Sequence, residues 1–481
     1  MSPSDPLLLA LDAGTGSIRA VVFDVAGRQL AIAQREYVHP PVPGVPGGMS
    51  FETGHAWELA CACIGEVVRE VGGADRIAAV SATSMREGMV LYDADGAELW
   101  ACPNADARAG KEIEELIERG DADRIYETAG DWVAITAPPR LRWLARHEPE
   151  LLGRVRHLTM ISDWLVNKLS GRFVTEPTVG SSSALFDLQR RTWSRDLVDR
   201  CGLDADVLPT VVEPGAVVGG VTAQAAAETG LREATPVVAG GADTQLGLLG
   251  LGVTDPGTCV VLGGTFWQTT VALDAPVIDP QKRLRTLCHV LPAQWMIEGI
   301  GFWCGLAMRW VRDALCQEER QIAAAEGVDV YEVIGRLAEQ VPPGSNGVRA
   351  IFSNVMNARR WVHAAPGFLG VDVTAPERTG KGALARATME AAAYVVRAHV
   401  ELLEEICERT IERLIFSGGA ARSQLWTQIV ADVTNRPVEV PSTTESTALG
   451  CALCAGVGAG VWPNLTVAAQ SAARHPRREL V

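Results

Sequence analysis

Three apolar runs in this chain end in small and hydroxyl-bearing residues. The run 7–11 leads into 12–17, which contains two glycines, a threonine and a serine, before apolar positions resume. The run 260–266 is β-rich and contains Gly-Gly-Thr, and 414–420 ends in Ser-Gly-Gly-Ala before a helix-like segment. This pattern predicts strand–turn–strand units for the first two runs and strand–turn–helix for the third. The Gly-Thr hairpin shared by the first two indicates a duplicated core.

Between these runs, apolar positions three and four residues apart predict helices, and short apolar runs predict strands. The further predicted strands cover 77–83, 90–92 and 236–239. The predicted helices cover 57–71, 111–119, 306–315, 328–340, 383–408, 424–433 and 448–459. A Gly/Asp/Pro-rich link at 250–256 separates the halves, so we predict domains at 1–252 and 253–481. The fold class is therefore α/β.

The composition suits a two-domain globular protein of 481 residues, of which 47% are hydrophobic and 21% charged. The net charge of −15 argues against nucleic acid or an anionic membrane as a partner. Residues 1–6 lack a basic segment, and the apolar run behind them is too short to span a bilayer. We therefore expect a cytoplasmic protein whose 11 cysteines are free, buried thiols.

The turn at 12–17 has the residue types that a phosphate-binding loop needs. Glycines let backbone N–H groups approach phosphate oxygens without obstruction by a Cβ atom, and hydroxyls add donors. Asp12, at the end of its strand, is placed to face Mg²⁺ on those phosphates, directly or through water. A plain β-hairpin, in which Asp12 and the glycines only shape the turn, explains the segment nearly as well. Neither G-x-x-x-x-G-K-[ST] nor G-x-G-x-x-G after a strand occurs in the sequence.

Asp243 is the candidate general base. Phosphoryl transfer to an alcohol needs held phosphates, a metal ion, in-line geometry and a carboxylate that accepts the hydroxyl proton. Asp243 follows an apolar strand and two glycines, Gly240 and Gly241, which let a ligand approach the backbone. Asp243 also suits the N-cap position of the helix that begins with Thr244. The two roles are compatible, and Asp243 is in addition a candidate metal ligand.

A second group of charged residues follows predicted β segments in the first half of the chain. Arg86 and Glu87 come directly after the strand 77–83, and Asp106 and Arg108 come after a later β-like segment. Strand ends are where α/β folds bind ligands, so these side chains could hydrogen-bond a polyhydroxylated substrate. A structural network of arginines and carboxylates accounts for the same pattern equally well.

Together these motifs resemble the FGGY carbohydrate kinases, which belong to the actin-like, ribonuclease-H-like ATPase superfamily. The resemblance covers essentially the whole chain and lies in LDAGTGSIRAVVFD (11–24), SDWLVNKLSG (162–171), LFDLQRRTWS (185–194), GGAD (240–243), IEGIGFWCGLAMRWVRD (297–313) and SGGAARSQLWTQIVAD (417–432). It implies two actin-like domains with a nucleotide cleft between them, ATP and Mg²⁺, and a small-molecule acceptor. Asp243 matches the catalytic base of the family, and Asp12 matches a position at the metal ion.

The resemblance also implies which residues surround the nucleotide and the acceptor. Arg86 and Glu87 match acceptor-contacting positions, and we assign Asp106, Arg108 and Gln268 to the same site. The residues implied at the phosphates and the adenosine are Gly14, Thr15, Gly16, Ser17, Arg19, Gly263, Gly264, Thr265, Gly305, Gly418, Gly419, Ala420 and Ser423.

Longer segments resemble one branch of the family, the autoinducer-2 kinases. These segments are SMREG (84–88), NADARA (104–109), LGGTFWQ (262–268), VPPGSNGV (341–348), FSNVMNARRWVHAAPGF (352–368) and TALGCALCAGVGAG (447–460). Such kinases use ATP to phosphorylate 4,5-dihydroxypentane-2,3-dione at its 5-hydroxyl. The resemblance leaves open a homodimer and another FGGY activity, such as a xylulokinase, ribulokinase or glycerol kinase. The rival from a different class is an actin-like ATPase that changes conformation without phosphorylating an acceptor.

Overall fold

Two mixed β-sheets, each flanked by helices, form the frame of the protein. The structure, a computed structural model, describes residues 6–351, 366–443, 445–473 and 477–480. Most of the segment 352–368, one of those that resemble autoinducer-2 kinases, therefore lies outside the described residues.

The helices and strands are numbered here in chain order, first for residues 7–250 and then for residues 259–480. The first half contains β1 Leu7–Ala13, β2 Ser17–Asp24, β3 Gln29–Glu36, α1 Thr53–Glu70, β4 Ile77–Ser84, β5 Met89–Tyr92, β6 Glu98–Cys102, α2 Gly110–Glu118, α3 Asp121–Ala129, α4 Ala137–His147, α5 Pro149–Arg154, β7 His157–Met160, α6 Ile161–Ser170, β8 Val174–Thr175, α7 Pro177–Ser182, β9 Phe186–Asp187, β10 Thr192–Trp193, α8 Arg195–Arg200, β11 Thr210–Val211, β12 Val217–Gly220, α9 Ala223–Thr229, β13 Pro236–Ala242 and α10 Asp243–Gly250. The second half contains β14 Cys259–Gly263, β15 Trp267–Leu273, β16 Arg285–Cys288, β17 Trp295–Gly301, α11 Cys304–Leu315, α12 Gln317–Glu326, α13 Val330–Glu339, β18 Arg349–Ile351, β19 Gly367–Leu369, α14 Pro376–Thr379, α15 Lys381–Cys407, β20 Leu414–Ser417, α16 Gln424–Thr434, β21 Val438–Pro441, α17 Ser446–Gly458, α18 Leu465–Ala472 and β22 Arg477–Leu480.

The two large sheets share one topology. The first has the order β12-β13-β4-β1-β2-β3, and the second has the order β16-β17-β15-β14-β20-β21-β22. In the first, β1 pairs in parallel with β4 and antiparallel with β2, which pairs antiparallel with β3. In the second, β14 pairs in parallel with β20 and antiparallel with β15, which pairs antiparallel with β17. The duplicated α/β core predicted from the sequence is confirmed.

Burial explains why the central strands of the first sheet are mainly apolar. All seven residues of β1 are buried, because helices cover both faces of a central parallel strand. β3, at the sheet edge, instead alternates buried and exposed positions over much of its length. The predicted strand 236–239 extends to Ala242, where β13 still pairs with β4 and lies very close to it. A Cβ atom on Gly240 would lie 1.9 Å from the Ala82 carbonyl oxygen.

Helix α10 lies between the two sheets. Leu246 and Leu249 pack into the core of the first sheet, whereas Leu248 and Leu251 pack into a cluster with the second. The partner of α10 is α17, and their backbones meet at glycines. A Cβ atom on Gly450 would lie 1.9 Å from the Leu246 carbonyl oxygen. No helix in the described part of the chain is long and apolar enough to cross a membrane.

Helices α17 and α18 pack against the first sheet although they belong to the second half of the sequence. Their buried side chains form one cluster with Leu8, Ala10 and Val21. Because such a contact joins residues more than four hundred positions apart, the composition of a linker cannot reveal it. The predicted boundary at 252 therefore describes the order of elements along the chain better than it describes the packing.

Most predicted helices and strands are present within a few residues of their expected bounds. The unpredicted elements lie mainly between 121 and 200, where helices α3 to α8 have six to eleven residues each. Helices this short complete few turns, so their 3.6-residue period does not stand out from the sequence. All 11 cysteines are free thiols, nine of them buried and two half-buried, as expected.

Candidate active site

Asp12 stands at the end of β1 with one carboxylate oxygen paired and the other unpaired. Its partner on β2 is Arg19, which lies opposite in the strand register. Arg19 donates from Nε and Nη2 to Asp12 Oδ2 at 2.8 and 2.7 Å, and from Nη1 to Glu445 Oε2 at 2.8 Å. Asp12 Oδ1 is buried and has no hydrogen-bond partner among the described residues. A buried carboxylate oxygen in this state is suited to receive a cation.

The first hairpin turn is tied to its surroundings but leaves its glycines open. The Gly14 N–H donates to the Ser17 carbonyl at 3.0 Å, and the Tyr37 hydroxyl donates to the Gly14 carbonyl. A Cβ atom on Gly14 would have its nearest contact at 3.5 Å, and one on Gly16 would contact nothing within 4 Å. Neither glycine has a positive φ angle. The fold itself therefore does not require glycine at these two positions.

In the second hairpin, only one of the glycines is open in the same way. Gly264 would accept a Cβ atom with its nearest contact at 3.6 Å. By contrast, a Cβ atom on Gly263 would lie 2.7 Å from the Phe416 ring, and one on Gly305 would lie 2.1 Å from the Gly264 carbonyl oxygen. Gly263 and Gly305 are thus required by packing, and α11 supports the hairpin. Thr265 accepts a hydrogen bond from Arg309 Nη2 at 3.3 Å.

The loop after β20 contacts the second hairpin through glycine backbones. Gly418 has a φ of +93°, a region that favours glycine, and its Cβ position lies 2.9 Å from the Gly263 carbonyl oxygen. Gly419 begins a short 3₁₀ turn in which a Cβ atom would meet nothing within 4 Å. Ser423 is the N-cap of α16 and accepts the Trp426 N–H at 3.2 Å. Its placement near adenosine, like that of Gly419 and Ala420, stays a prediction.

Asp243 is the first residue of α10, at the carboxyl end of β13. The N-cap residue is Ala242, so the alternative role of Asp243 as N-cap is not what the structure shows. Asp243 Oδ1 accepts the Thr244 N–H at 2.6 Å. About 39% of the Asp243 side chain is exposed, and the nearest cationic atom is Arg86 Nε at 4.0 Å.

The pKa of Asp243 is raised to about 6. The main cause is that surrounding protein atoms displace part of the water around the carboxylate, and this effect outweighs the opposing effect of Arg86. The negative charges of Asp12 and Glu87 raise the pKa further. A carboxyl group with this pKa is ionised at neutral pH yet basic enough to take a proton from an alcohol in the transition state.

Arg86 and Glu87, which follow β4, are brought together with Asp243 and with two residues that the sequence analysis missed. Arg86 Nη1 donates to Glu298 Oε1 at 2.7 Å, and Arg285 Nε donates to the same oxygen at 2.7 Å. Arg285 Nη1 donates to Glu87 Oε1 at 2.8 Å. Glu298 and Arg285 lie opposite each other on β17 and β16 of the second sheet. The network therefore joins the two halves of the protein through ion pairs.

Burial and ion pairing act in opposite directions on the charges of this network. Burial alone would raise the pKa of Glu298, but Arg86 and Arg285 outweigh it, so the pKa is lowered. Asp131 Oδ2 lies 3.2 Å from Arg285 Nη1. Burial raises the pKa of Asp131 to about 6, because Arg285 offsets only part of the desolvation. Single charged residues within apolar strands are the only sequence signal for Glu298 and Arg285.

Asp106 and Arg108 form a buried pair of their own. Arg108 Nε lies 2.9 and 3.0 Å from the two oxygens of Asp106, and Met49 N donates to Asp106 Oδ1 at 2.7 Å. Arg140 contacts the Asp106 carboxylate at 3.4 Å and also donates to the Glu87 carbonyl. Here the structure shows the arginine–carboxylate network that the sequence left open. Contact of Asp106 and Arg108 with an acceptor stays a prediction.

Gln268 lies near the start of β15, beside the second hairpin. It is half-buried and pairs in the strand register with Leu262 of β14 and Ile300 of β17. Contact of Gln268 with an acceptor stays a prediction. No group of three or more His, Cys, Asp or Glu side chains within the described ranges is arranged to hold a metal ion.

Family models match both halves of the chain. The model for the N-terminal domain of the FGGY family of carbohydrate kinases matches residues 7–250, and the model for the C-terminal domain matches 261–459. The chain belongs to the FGGY family of carbohydrate kinases. The predicted resemblance is confirmed, and the FGGY membership agrees with the duplicated hairpins and the cleft between them.

Two curated relatives are similar over nearly the whole chain. An autoinducer-2 kinase of Salmonella paratyphi A is 46% identical over 474 residues, which cover 98% of this chain and 89% of the relative. An autoinducer-2 kinase of Escherichia coli K12 is 46% identical over 481 residues, covering 99% of this chain and 91% of the relative.

Solved structures with the same fold include two sugar or polyol kinases. A xylulose kinase from Rhodospirillum rubrum aligns with a TM-score of 0.84 at 28% identity, over 98% of this chain and 94% of the other. A Plasmodium falciparum glycerol kinase solved with ADP aligns with a TM-score of 0.83 at 19% identity, over 98% and 93% of the two chains. The glycerol kinase supports the fold alone. The FGGY chain described here is accordingly an ATP-dependent kinase.

Proposed function

We propose that this FGGY kinase transfers the γ-phosphoryl group of ATP to the 5-hydroxyl of 4,5-dihydroxypentane-2,3-dione, the open-chain form of autoinducer-2. One structural observation carries the kinase chemistry. The Asp243 carboxylate lies 4.0 Å from Arg86 and close enough to Asp12 to interact with its charge, and Asp12 leads into a hairpin turn whose glycines the fold does not require. The 46% identity to autoinducer-2 kinases over nearly the whole chain supports this acceptor over others.

The phosphates of ATP would lie between the two hairpins. Gly14 and Gly16 on one side and Gly264 on the other leave room for close approach to the backbone. Thr15 and Thr265, both exposed, add hydroxyl donors. The loop 418–423, which rests against the second hairpin, would support the adenosine.

Asp243 would act as the general base and Arg86 as the acceptor-binding cation. The 5-hydroxyl oxygen would bond to the γ-phosphorus while the bond between the γ-phosphorus and the oxygen that bridges to the β-phosphate breaks. The Asp243 carboxylate would accept the proton that the hydroxyl loses. Arg86 and Glu87 supply a donor and an acceptor side by side, which suits an acceptor with two carbonyls and two hydroxyls. Packing around the cleft would limit access of water and so limit wasteful hydrolysis.

The residues present suit Mg²⁺. This ion is bound through one or two carboxylates together with phosphate oxygens, not by a cage of protein ligands. The unpartnered Oδ1 of Asp12 and the carboxylate of Asp243 are such ligands, and the two groups are close enough to influence each other's charge. When bound, Mg²⁺ would supply charge neutralisation at the phosphate oxygens.

The decisive measurement is kcat/KM for the dione against glycerol, xylulose and ribulose, with ADP release as the readout. We expect the dione to be preferred, because the other three lack adjacent carbonyls for Arg86. A higher kcat/KM for xylulose would indicate a xylulose kinase, and the dione would be rejected as the preferred acceptor. ATP hydrolysis that no acceptor stimulates would instead support the conformational ATPase.

A further inference from the structure

The conformation of the loop that carries Arg86 and Glu87 depends on contacts from outside the loop. Glu87 has a φ of +62°, in the left-handed region that is unfavourable for a residue with a side chain. Such a conformation persists only where the surroundings hold it. Two arginines do so here: Arg140 binds the Glu87 carbonyl from α4, and Arg285 binds the Glu87 carboxylate from β16.

Glu298 holds Arg86, as Arg140 and Arg285 hold Glu87. It is fully buried, and its Oε1 receives both Arg86 Nη1 and Arg285 Nε. Its other oxygen, Oε2, is buried without a hydrogen-bond partner among the described residues. An incompletely paired buried carboxylate is a poor way to stabilise a fold. Its position is better explained by what it does to the arginines it contacts.

Without Glu298, the anionic groups nearest to Arg86 would be Glu87 and Asp243, at 3.9 and 4.0 Å from its Nε atom. Arg86 would then turn towards the base and occupy the space beside it. The contact at 2.7 Å between Arg86 Nη1 and Glu298 Oε1 instead holds the guanidinium by the nitrogen at its end. That arrangement keeps Arg86 next to Asp243 without a close ion pair between them.

We propose that Glu298 is a positioning residue that holds Arg86 for the acceptor, and that Arg285 does the same for Glu87. Residues of the second domain would then position Arg86 and Glu87, which belong to the first. This inference rests on the proposed kinase function. It does not depend on the dione being the acceptor.

Glu298→Gln tests the proposal because it keeps the side-chain shape and removes the charge. KM for the acceptor should rise at least tenfold, whereas the Kd of a non-hydrolysable ATP analogue, measured by calorimetry, should change less than twofold. An unchanged acceptor KM would overturn the proposal. So would an equal loss of ATP and acceptor affinity, because that would indicate general damage to the fold.

The matched control is Glu390→Gln. Glu390 is also a buried glutamate of the second domain and also pairs with an arginine, Arg386, at 3.0 Å. Its other partners are Gly344 and Ser345, away from the cleft network. This variant should leave the acceptor KM within twofold of the wild type even if its melting temperature falls. A tenfold rise in this control as well would contradict a specific role for Glu298.

A double-mutant cycle separates positioning from a direct contact. If Glu298 acts through Arg86, Glu298→Gln should change the acceptor KM less than twofold in an Arg86→Ala background. If the increases in acceptor KM caused by the two single substitutions multiply fully in the double variant, the proposal is overturned. Should Glu298→Gln fail to fold, Arg285→Lys keeps the charge but cannot reproduce the planar fork that contacts Glu298, Glu87 and Asp131. Arg285→Lys should then raise the acceptor KM selectively, and an unchanged KM would contradict the positioning role.

The acceptor screen on the wild type keeps the two proposals distinct. If another polyol is preferred to the dione, the proposed acceptor is wrong and the variants are compared with that polyol. If no acceptor stimulates turnover, the kinase function itself fails, and the positioning role falls with it.

Discussion

At the scale of single residues, the roles of Asp243 can be separated by one substitution. In Asp243→Asn, the amide oxygen of the new side chain would still accept the Thr244 N–H, so the start of α10 should be preserved. The substitution would remove the base, and turnover should fall roughly 10²- to 10⁴-fold. The measurement is kcat together with ATP-analogue affinity, which should survive. Asp329→Asn is the control, because Asp329 accepts a backbone N–H at the start of α13 outside the cleft. Near-normal turnover in Asp243→Asn would refute the assignment.

The pKa of Asp243 also predicts a pH profile. A base must be deprotonated to act, and the pKa of this carboxyl is raised to about 6. We therefore expect kcat/KM to rise with pH up to a value near 6 and then level off. Below that pH it should fall about tenfold per unit, as for one essential group. The measurement is initial rate against pH with acceptor well below KM. A plateau that continues down to pH 4 would contradict a base with this pKa.

Comparison of residues shows what the sequence could predict about the site. Asp12 and Asp243 follow apolar strands and precede or follow glycines, so their positions at the cleft could be inferred locally. Arg86 and Asp106 looked equivalent, because each has a neighbouring opposite charge. The structure distinguishes them by their partners. Arg86 reaches Glu298 in the second half, 212 positions away, whereas the partners of Asp106, which are Met49, Arg108 and Arg140, all lie in the first half. Sequence spacing contains no information on such a long-range contact.

At the scale of elements, glycines of the second hairpin and of the loop after β20 are predicted to have different effects when they are substituted. At Gly264→Val the new Cβ atom would lie 3.6 Å from the nearest atom, which is an ordinary contact. It should therefore weaken ATP-analogue binding at least tenfold with little change in melting temperature. Gly418→Ala should instead lower the melting temperature, because φ is +93° and its Cβ would lie 2.9 Å from the Gly263 carbonyl oxygen.

Calorimetry with the ATP analogue and thermal unfolding of Gly264→Val and Gly418→Ala check this contrast. Gly14→Val, at the equivalent open position of the first hairpin, should behave like Gly264→Val. If ATP-analogue affinity is unchanged in both valine variants, the nucleotide does not lie between the hairpins. The element-level fold was the most predictable part of the molecule, because strand–turn patterns are local signals.

At the scale of the whole molecule, α10, which lies between the two sheets, meets α17 through backbone contact at glycines. A Cβ atom on Gly450 would lie 1.9 Å from the Leu246 carbonyl oxygen, so Gly450→Ala must separate the helices. We expect it to lower the free energy of unfolding by about 1–3 kcal/mol, the usual cost of overpacking. Urea unfolding is the measurement. Gly335→Ala, in α13 where a Cβ atom would meet nothing within 4 Å, should be neutral or stabilising.

The position of α10 between the sheets has a consequence for how the enzyme would open. Leu246 and Leu249 fix the helix to one half, and Leu248 and Leu251 fix it to the other. If the halves rotate relative to each other, this helix lies nearest to the axis, and points near an axis travel least. Asp243, at its first turn, would hardly move, while the hairpin tips would sweep through the largest arcs. Asp243 would thus keep its position while the hairpins move the nucleotide relative to it.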